Sequence, residues 1–149
     1  MANGFEAAAK IEPVRIKGLN GEAAGGNFYD LVGGKETFRR LAIKFYEGVA
    51  ADEVLKPMYP EEDLGPASER LQLFLEQYWG GPTTYQEQRG HPRLRMRHSP
   101  YKINPEARER WLRHMRAAVD SLELAPLLDA ELWAYLDRAA TAMLNTYED

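Results

Sequence analysis

The stretch FLEQYWGGPTTYQEQRGHPRLRMRHSPYKI, residues 74–103, is the most informative part of the chain, because it separates two groups of helices. A helical pattern ends inside it at Gly80, Gly81 and Pro82, and a long, poorly helical segment continues through residues 83–103. Packed helical domains usually join their helices through about 2–8 residues. A connection of this length therefore indicates a function of its own rather than a simple link.

Positive charge is concentrated in the same segment, although the chain has a formal net charge of −4. Four arginines and two of the three histidines lie within residues 89–100. Polar aromatic residues, Tyr46, Tyr78 and Trp111, also lie on otherwise apolar helix faces. The combination favours an anionic, partly apolar ligand held between the helix groups. His98 ends the basic stretch, and its residue type alone leaves three interpretations open: a metal ligand, a base, or a residue without a special role.

Amphipathic helices are predicted on both sides of this segment. One occupies residues 35–50, and a second opens with Pro66 in its first turn. Beyond the segment, Asn104 is expected to cap a third helix and Asp129 to begin a fourth. No strand pattern competes with them, so the sequence predicts an all-α fold of four long helices in two pairs.

The N-terminal residues differ in character from the rest. Residues 1–27 are rich in Gly and Ala and carry few large apolar groups, so we predict a flexible tail there. A single domain is predicted over residues 28–149. It opens with a short apolar turn that Gly33 and Gly34 close, because glycine readily adopts the left-handed conformation found at helix ends.

Composition excludes several classes of protein. The chain contains no cysteine, which rules out disulfides, thiolate metal ligands and cysteine nucleophiles. Its apolar runs are too short for a membrane span, and no secretory leader pattern opens the sequence, so we expect a cytoplasmic location. The acidic balance argues against a general nucleic-acid binder.

The long segment and its flanks resemble the group II, or O-type, truncated haemoglobins of bacteria. The resemblance is carried by residues 74–103 together with KFYEGVAADEVLKPMYPEEDL at 44–64 and ARERWLRHM at 107–115. It extends over about residues 28–146. It implies a globin-like, truncated two-on-two α-helical sandwich around a non-covalent b-type haem, which would explain the helix pairs and the segment between them.

The resemblance also implies roles for residues around the haem. His98 would be the proximal iron ligand, bonded through Nε2. His91 would lie at the haem edge or on the surface, and His114 would be a hydrogen-bonded structural residue. Arginine forms two-point contacts with carboxylates, and the candidates for the haem propionates are Arg93, Arg95, Arg97 and Lys102. The apolar surface of the haem would be lined by Leu71, Phe74, Tyr78, Met96, Tyr101, Ile103, Met115 and Met143.

On the opposite, distal side the resemblance places Ala67 where larger globins usually carry a histidine, with Leu71 nearby. Hydrogen bonds to a bound diatomic ligand would come from Tyr46, Tyr59 and Trp111, since phenol and indole groups can donate to a ligand with partial negative charge. Many relatives have phenylalanine at the position of Tyr59. Its hydroxyl therefore either joins the donors or contacts Tyr46.

Two classes of function follow from the resemblance. The first is reversible binding of O₂, with CO and NO as related ligands, in oxygen transport, storage or sensing. The second is a haem redox enzyme, an NO dioxygenase or a peroxidase, which would depend on an external reductase. A haem-free helical interaction module is the third interpretation. The sequence does not decide whether the chain forms a homo-oligomer, or which of the arginines contact the haem propionates.

Overall fold

The structure, a computed structural model, describes residues 27–60, 62–90 and 103–145, and within these ranges every regular element is a helix. The predicted all-α fold is therefore confirmed. None of the described helices is long and apolar enough to cross a membrane. In chain order the elements are α1 (Phe28–Leu31), α2 (Gly34–Ala50), a 3-10 helix (Lys56–Met58), α3 (Gly65–Tyr78), α4 (Thr84–Arg89), α5 (Pro105–Ser121) and α6 (Pro126–Ala142).

The four predicted long helices are α2, α3, α5 and α6, and two details differ from the prediction. Helix α6 begins at Pro126 rather than at Asp129. Proline suits this position, because N–H groups in the first turn of a helix have no partner within the helix and proline has no N–H. A short helix, α4, forms inside the segment predicted to be poorly helical. Its Tyr85 is buried and packs edge to face on Phe74 of α3, with ring centroids 5.7 Å apart. This tertiary contact stabilises a helix too short to persist alone.

Sequence signals at the helix ends are confirmed. The side-chain oxygen of Asn104 accepts the N–H of the third following residue at 2.9 Å and caps α5. Gly33 and Gly34 have φ values of 114° and 67°, in the left-handed region, between α1 and α2. Asn27 lies one residue before the predicted domain start, yet it caps α1 and donates to the Gly80 carbonyl oxygen at 2.7 Å. It therefore takes part in the packing of the domain.

Helix α2 is central to the packing. It contacts both α3 and α5, while α5 packs on α6. The pairs α2/α3 and α5/α6 make up the two-on-two sandwich. Burial of apolar surface is worth roughly 25 cal/mol for each Å² removed from water. Side chains with no more than 1% exposure form the core between the layers: Phe38, Leu41, Phe45, Val49, Met115 and Leu132.

Polar contacts fix α5 against α6, among them one near each end of α5. Ile103, just before α5, donates its N–H to Oδ1 of Asn145 at 2.8 Å, and the Asn145 N–H donates to the Ile103 carbonyl oxygen at 3.0 Å. Near the other end of α5, Arg116 donates to Asp129 of α6 at 2.6 Å and lies over the Trp133 ring, 4.7 Å from its centroid. The second pair of the sandwich is thus tied together along its length.

Candidate functional site

A cavity of about 460 Å³ lies among the four long helices. The connector between α2 and α3, and helix α4, complete its wall. Small-molecule sites typically have volumes of roughly 300–1,000 Å³ and mostly apolar walls. The apolar part of this wall comes from residues such as Phe45, Leu55, Leu136 and Ala140.

The three side chains predicted to donate hydrogen bonds to a ligand all line this cavity, each from a different element. Tyr46 comes from α2, Tyr59 from the end of the 3-10 helix, and Trp111 from α5. The hydroxyl oxygens of the two tyrosines are 3.4 Å apart, longer than the usual 2.5–3.0 Å of a hydroxyl hydrogen bond. The Phe45 ring packs edge to face against two of these donors. Its centroid lies 4.9 Å from the ring centroid of Tyr46 and 5.3 Å from that of Trp111. These donors therefore form one polar part of a mostly apolar wall.

One face of α3 supplies a further part of the wall. Ala67, Leu71 and Phe74 lie at successive three- and four-residue spacings and all line the cavity, as does Arg70 beside them. Ile103 and Met143, also predicted from the sequence, line it as well. The predicted distal residues and several of the predicted apolar ones are thus brought together around the same space.

Arginines in the wall were not predicted. Arg70, Arg89 and Arg108 all line the cavity. Arg108 is held by α6, since its Nη2 donates to Asp137 at 3.0 Å and its Nε to Thr141 at 3.0 Å. A signal was present, because Arg108 lies three residues before Trp111 and Arg70 three residues after Ala67, so each shares a helix face with a predicted site residue. An arginine on an amphipathic helix is usually exposed to solvent. Helix spacing alone was therefore not enough to assign Arg70 and Arg108 to the site.

Two predicted haem contacts lie elsewhere in the core. Tyr78 is buried and stacks on Tyr135, with ring centroids 4.0 Å apart. Met115 is fully buried one turn beyond Trp111 on α5. Neither is among the residues that line the cavity. Their contact with haem stays a prediction.

Several predicted haem-binding residues lie outside the described residues: Arg93, Arg95, Met96, Arg97, His98, Tyr101 and Lys102. His91 also lies there, so the proximal ligand and the propionate partners stay predictions. His114 is described, and its Nε2 is 2.7 Å from Oδ2 of Asp52. The prediction that His114 is a hydrogen-bonded structural residue is confirmed.

The hydroxyl of Tyr135 is an unusual feature of the cavity wall. The residue is 1% exposed and lines the cavity, and its hydroxyl has no hydrogen-bond partner among the described residues. Burial raises the pKa of this hydroxyl, so it stays protonated at neutral pH. Buried polar groups are nearly always hydrogen-bonded in folded proteins. The Tyr135 hydroxyl is therefore an exception to that rule among the described residues.

Comparison with known proteins identifies the family. A model of the bacterial-like globin family matches residues 27–145. The chain is 39% identical over 115 residues to group 2 truncated hemoglobin YjbI of Bacillus subtilis (strain 168), which covers 77% of this chain and 86% of that protein.

Solved structures support the same family assignment. A thermostable hemoglobin from the actinobacterium Thermobifida fusca matches with a TM-score of 0.81 and 69% identity, over 83% of this chain and 100% of that one. A truncated oxygen-avid haemoglobin from Bacillus subtilis matches with a TM-score of 0.75 and 38% identity, over 80% and 100% of the two chains. The chain therefore belongs to the bacterial-like globin family of haem proteins that bind small ligands, and within it to the group II truncated haemoglobins.

Proposed function

We propose that this protein holds a non-covalent b-type haem and binds O₂ reversibly, with Tyr46, Tyr59 and Trp111 as hydrogen-bond donors to the bound gas. The observation that carries the proposal is the convergence of these donors, from three separate elements, on one wall of a largely apolar cavity. The oxygen-avid Bacillus subtilis relative supports the choice of O₂ over other diatomic ligands.

The described wall suits haem as a flat, mostly apolar molecule with two carboxylates at its edge. Aromatic and aliphatic side chains form most of the wall, and Arg70, Arg89 and Arg108 provide cationic groups. When bound, haem would supply an iron atom able to bind a diatomic molecule, and His98 is the residue proposed to hold that iron.

The donors distinguish O₂ from less polar gases. Phenol O–H and indole N–H groups donate to a ligand that carries partial negative charge, and neither competes strongly as a ligand for ferrous iron. A hydrogen bond to a charged group contributes about 1.5–3 kcal/mol. Carbon monoxide is far less polar when bound, so the same donors stabilise it much less. The arrangement thus favours retention of O₂.

The propionates are assigned to cationic groups at the cavity edge. Arg93, Arg95, Arg97 and Lys102 are the partners proposed from the sequence, and the arginines in the described wall join them as candidates. Arg108 is already held in place, because Asp137 and Thr141 fix its guanidinium. A fixed guanidinium loses less freedom when it pairs with a carboxylate.

The test is an absorption spectrum followed by an oxygen titration. The purified protein loaded with haem should show a Soret band, and the reduced form should take up O₂ and release it again under argon over repeated cycles. Failure to retain haem would contradict the proposal, and so would oxidation of the iron at each exposure. Rapid consumption of O₂ or NO with an added reductase would instead favour the redox enzyme.

A further inference from the structure

Asp52 is a buried carboxylate at the start of the connector that leads to Tyr59. Its side chain is 2% exposed. One carboxylate oxygen, Oδ1, accepts the N–H of Val54 at 2.9 Å and that of Leu55 at 3.0 Å. The Asp52 carbonyl oxygen accepts the N–H of Lys56 at 2.9 Å. This one residue therefore fixes the turn from which the 3-10 helix and Tyr59 follow.

The same carboxylate reaches helix α5. Oδ1 also accepts Nη1 of Arg110 at 3.1 Å, and Oδ2 lies 2.7 Å from Nε2 of His114. Arg110 and His114 are one turn apart on α5, and Trp111 directly follows Arg110. Burial alone would raise the pKa of Asp52, but the hydrogen bonds from His114, from the backbone and from Arg110 outweigh it and lower the pKa well below 3.8. The carboxylate is therefore ionised at neutral pH.

The third element, α2, meets this cluster at Gly48. A Cβ atom on Gly48 would overlap Nδ1 of His114, so the imidazole lies directly against the helix backbone. A larger residue at this position would push α2 and α5 apart or displace the imidazole. Tyr46 lies two residues before Gly48 on the same helix.

We infer that Asp52 is a positioning residue for the distal pocket: by joining the connector, α5 and, through His114, α2, it sets the relative positions of Tyr59, Trp111 and Tyr46. The inference rests on the proposed function of these three side chains as donors. Each donor is carried by one of the three elements that the cluster joins. Hydrogen bonds weaken steeply with misplacement, so donors from separate elements need a common anchor.

The experiment is infrared spectroscopy of the haem-loaded, reduced protein with bound carbon monoxide. The C–O stretching frequency falls when a donor places positive charge near the gas oxygen. Asp52→Asn keeps one oxygen to accept the Val54 and Leu55 N–H groups but removes the charge that holds Arg110 and His114. We expect its C–O band to broaden and to move to higher frequency. We also expect O₂ to dissociate roughly 3- to 10-fold faster, with carbon monoxide dissociation changed by less than about 2-fold.

Asp129→Asn is the matched control. Asp129 also pairs with an arginine of α5, at 2.6 Å from Arg116, but it ties α5 to α6 and lies away from the donors. Both variants should lower the melting temperature, whereas only Asp52→Asn should move the band. A band at the parent position in Asp52→Asn, or an equal shift in both variants, would overturn the positioning role.

Histidine variants keep the inference testable if Asp52→Asn does not retain its fold. His114→Ala removes one arm of the cluster and should move the band in the same direction, while His114→Gln, which can still donate to Asp52, should move it less. Unchanged bands in both would overturn the inference. Trp111→Phe, measured alongside, separates the two proposals. If Trp111→Phe does not move the band, the donor role itself is overturned. If Trp111→Phe moves the band but the Asp52 and His114 variants do not, only the positioning role is overturned.

Discussion

The hydroxyl oxygens of Tyr46 and Tyr59 lie 3.4 Å apart, and their rings meet edge to face with centroids 5.5 Å apart. The two tyrosines come from different elements, α2 and the end of the 3-10 helix, yet they present their hydroxyls at one place in the cavity wall. Two neighbouring hydroxyls can serve the same ligand position. If they act as the proposed donors, each is therefore expected to substitute for the other.

Replacing the tyrosines with phenylalanine, singly and together, should show whether one hydroxyl can take over from the other. Tyr46→Phe alone should speed O₂ dissociation only about 2- to 5-fold, because Tyr59 remains close enough to donate. The double variant Tyr46→Phe/Tyr59→Phe should exceed the product of the two single effects, as measured by stopped-flow O₂ displacement. Tyr29→Phe, a tyrosine outside the cavity wall, is the control. Strictly multiplicative effects would show that the two hydroxyls act independently.

His98→Ala tests the proximal bond. We expect the variant to bind haem weakly, because the family resemblance assigns the iron ligand to His98 and the chain has no cysteine to replace it. Added imidazole should restore the spectrum. His91→Ala, in the same basic stretch, should behave like the parent. A normal five-coordinate ferrous spectrum of His98→Ala without imidazole would mean that another residue holds the iron.

Neutralising Arg95 and Arg97 together should weaken haem retention. Exposed ion pairs contribute only about 0.2–1 kcal/mol each, and two of them correspond to haem transfer to an acceptor protein that is roughly 2- to 30-fold faster. Arg39→Gln/Arg113→Gln changes net charge equally away from the cavity and should leave the transfer rate unchanged. If the Arg95/Arg97 double variant gives no acceleration, Arg70, Arg89 and Arg108 are the remaining candidates for the propionates.

The low pKa of Asp52 predicts an acid limit to stability. Because folding lowers this pKa, the carboxylate contributes stability fully above about 3.8, and that contribution is lost as the pH falls toward the folded-state pKa. Asp52→Asn should lower the free energy of unfolding at pH 7 by about 1.5–3 kcal/mol, since hydrogen bonds to a charged group are lost. Urea unfolding at several pH values should show this difference shrinking below pH 4. A difference that is constant down to pH 3 would contradict the assignment.

Local patterns were enough to predict most of the fold. The cap at Asn104, the proline at the start of α3 and the left-handed glycines before α2 act through neighbouring residues, so the sequence reveals them directly. Helix α4 depends on burial of Tyr85 against Phe74, a contact that no local rule contains. The early start of α6 at Pro126 had a local signal that the apolar periodicity obscured.

The candidate site likewise contains residues that could be predicted and residues that could not. The family resemblance predicted Tyr46, Tyr59 and Trp111, and all three line the cavity. Asp52 was not predicted, because the partners that make its burial favourable are Arg110 and His114, 58 and 62 residues further along the chain. Burial of a charge is decided by such distant partners rather than by the residue's own surroundings in sequence.

We propose that hydrogen bonding, rather than shape, retains O₂, and Trp111→Phe distinguishes the two. The change removes the indole N–H and keeps an aromatic ring beside Phe45. Loss of about 1.5–3 kcal/mol corresponds to O₂ dissociation roughly 10- to 150-fold faster. Stopped-flow measurement should show this acceleration for O₂ and little change for carbon monoxide. Trp133→Phe, on α6 beneath Arg116, should change neither rate. Equal acceleration of both gases, or none for O₂, would mean that the indole only fills space and would contradict the account.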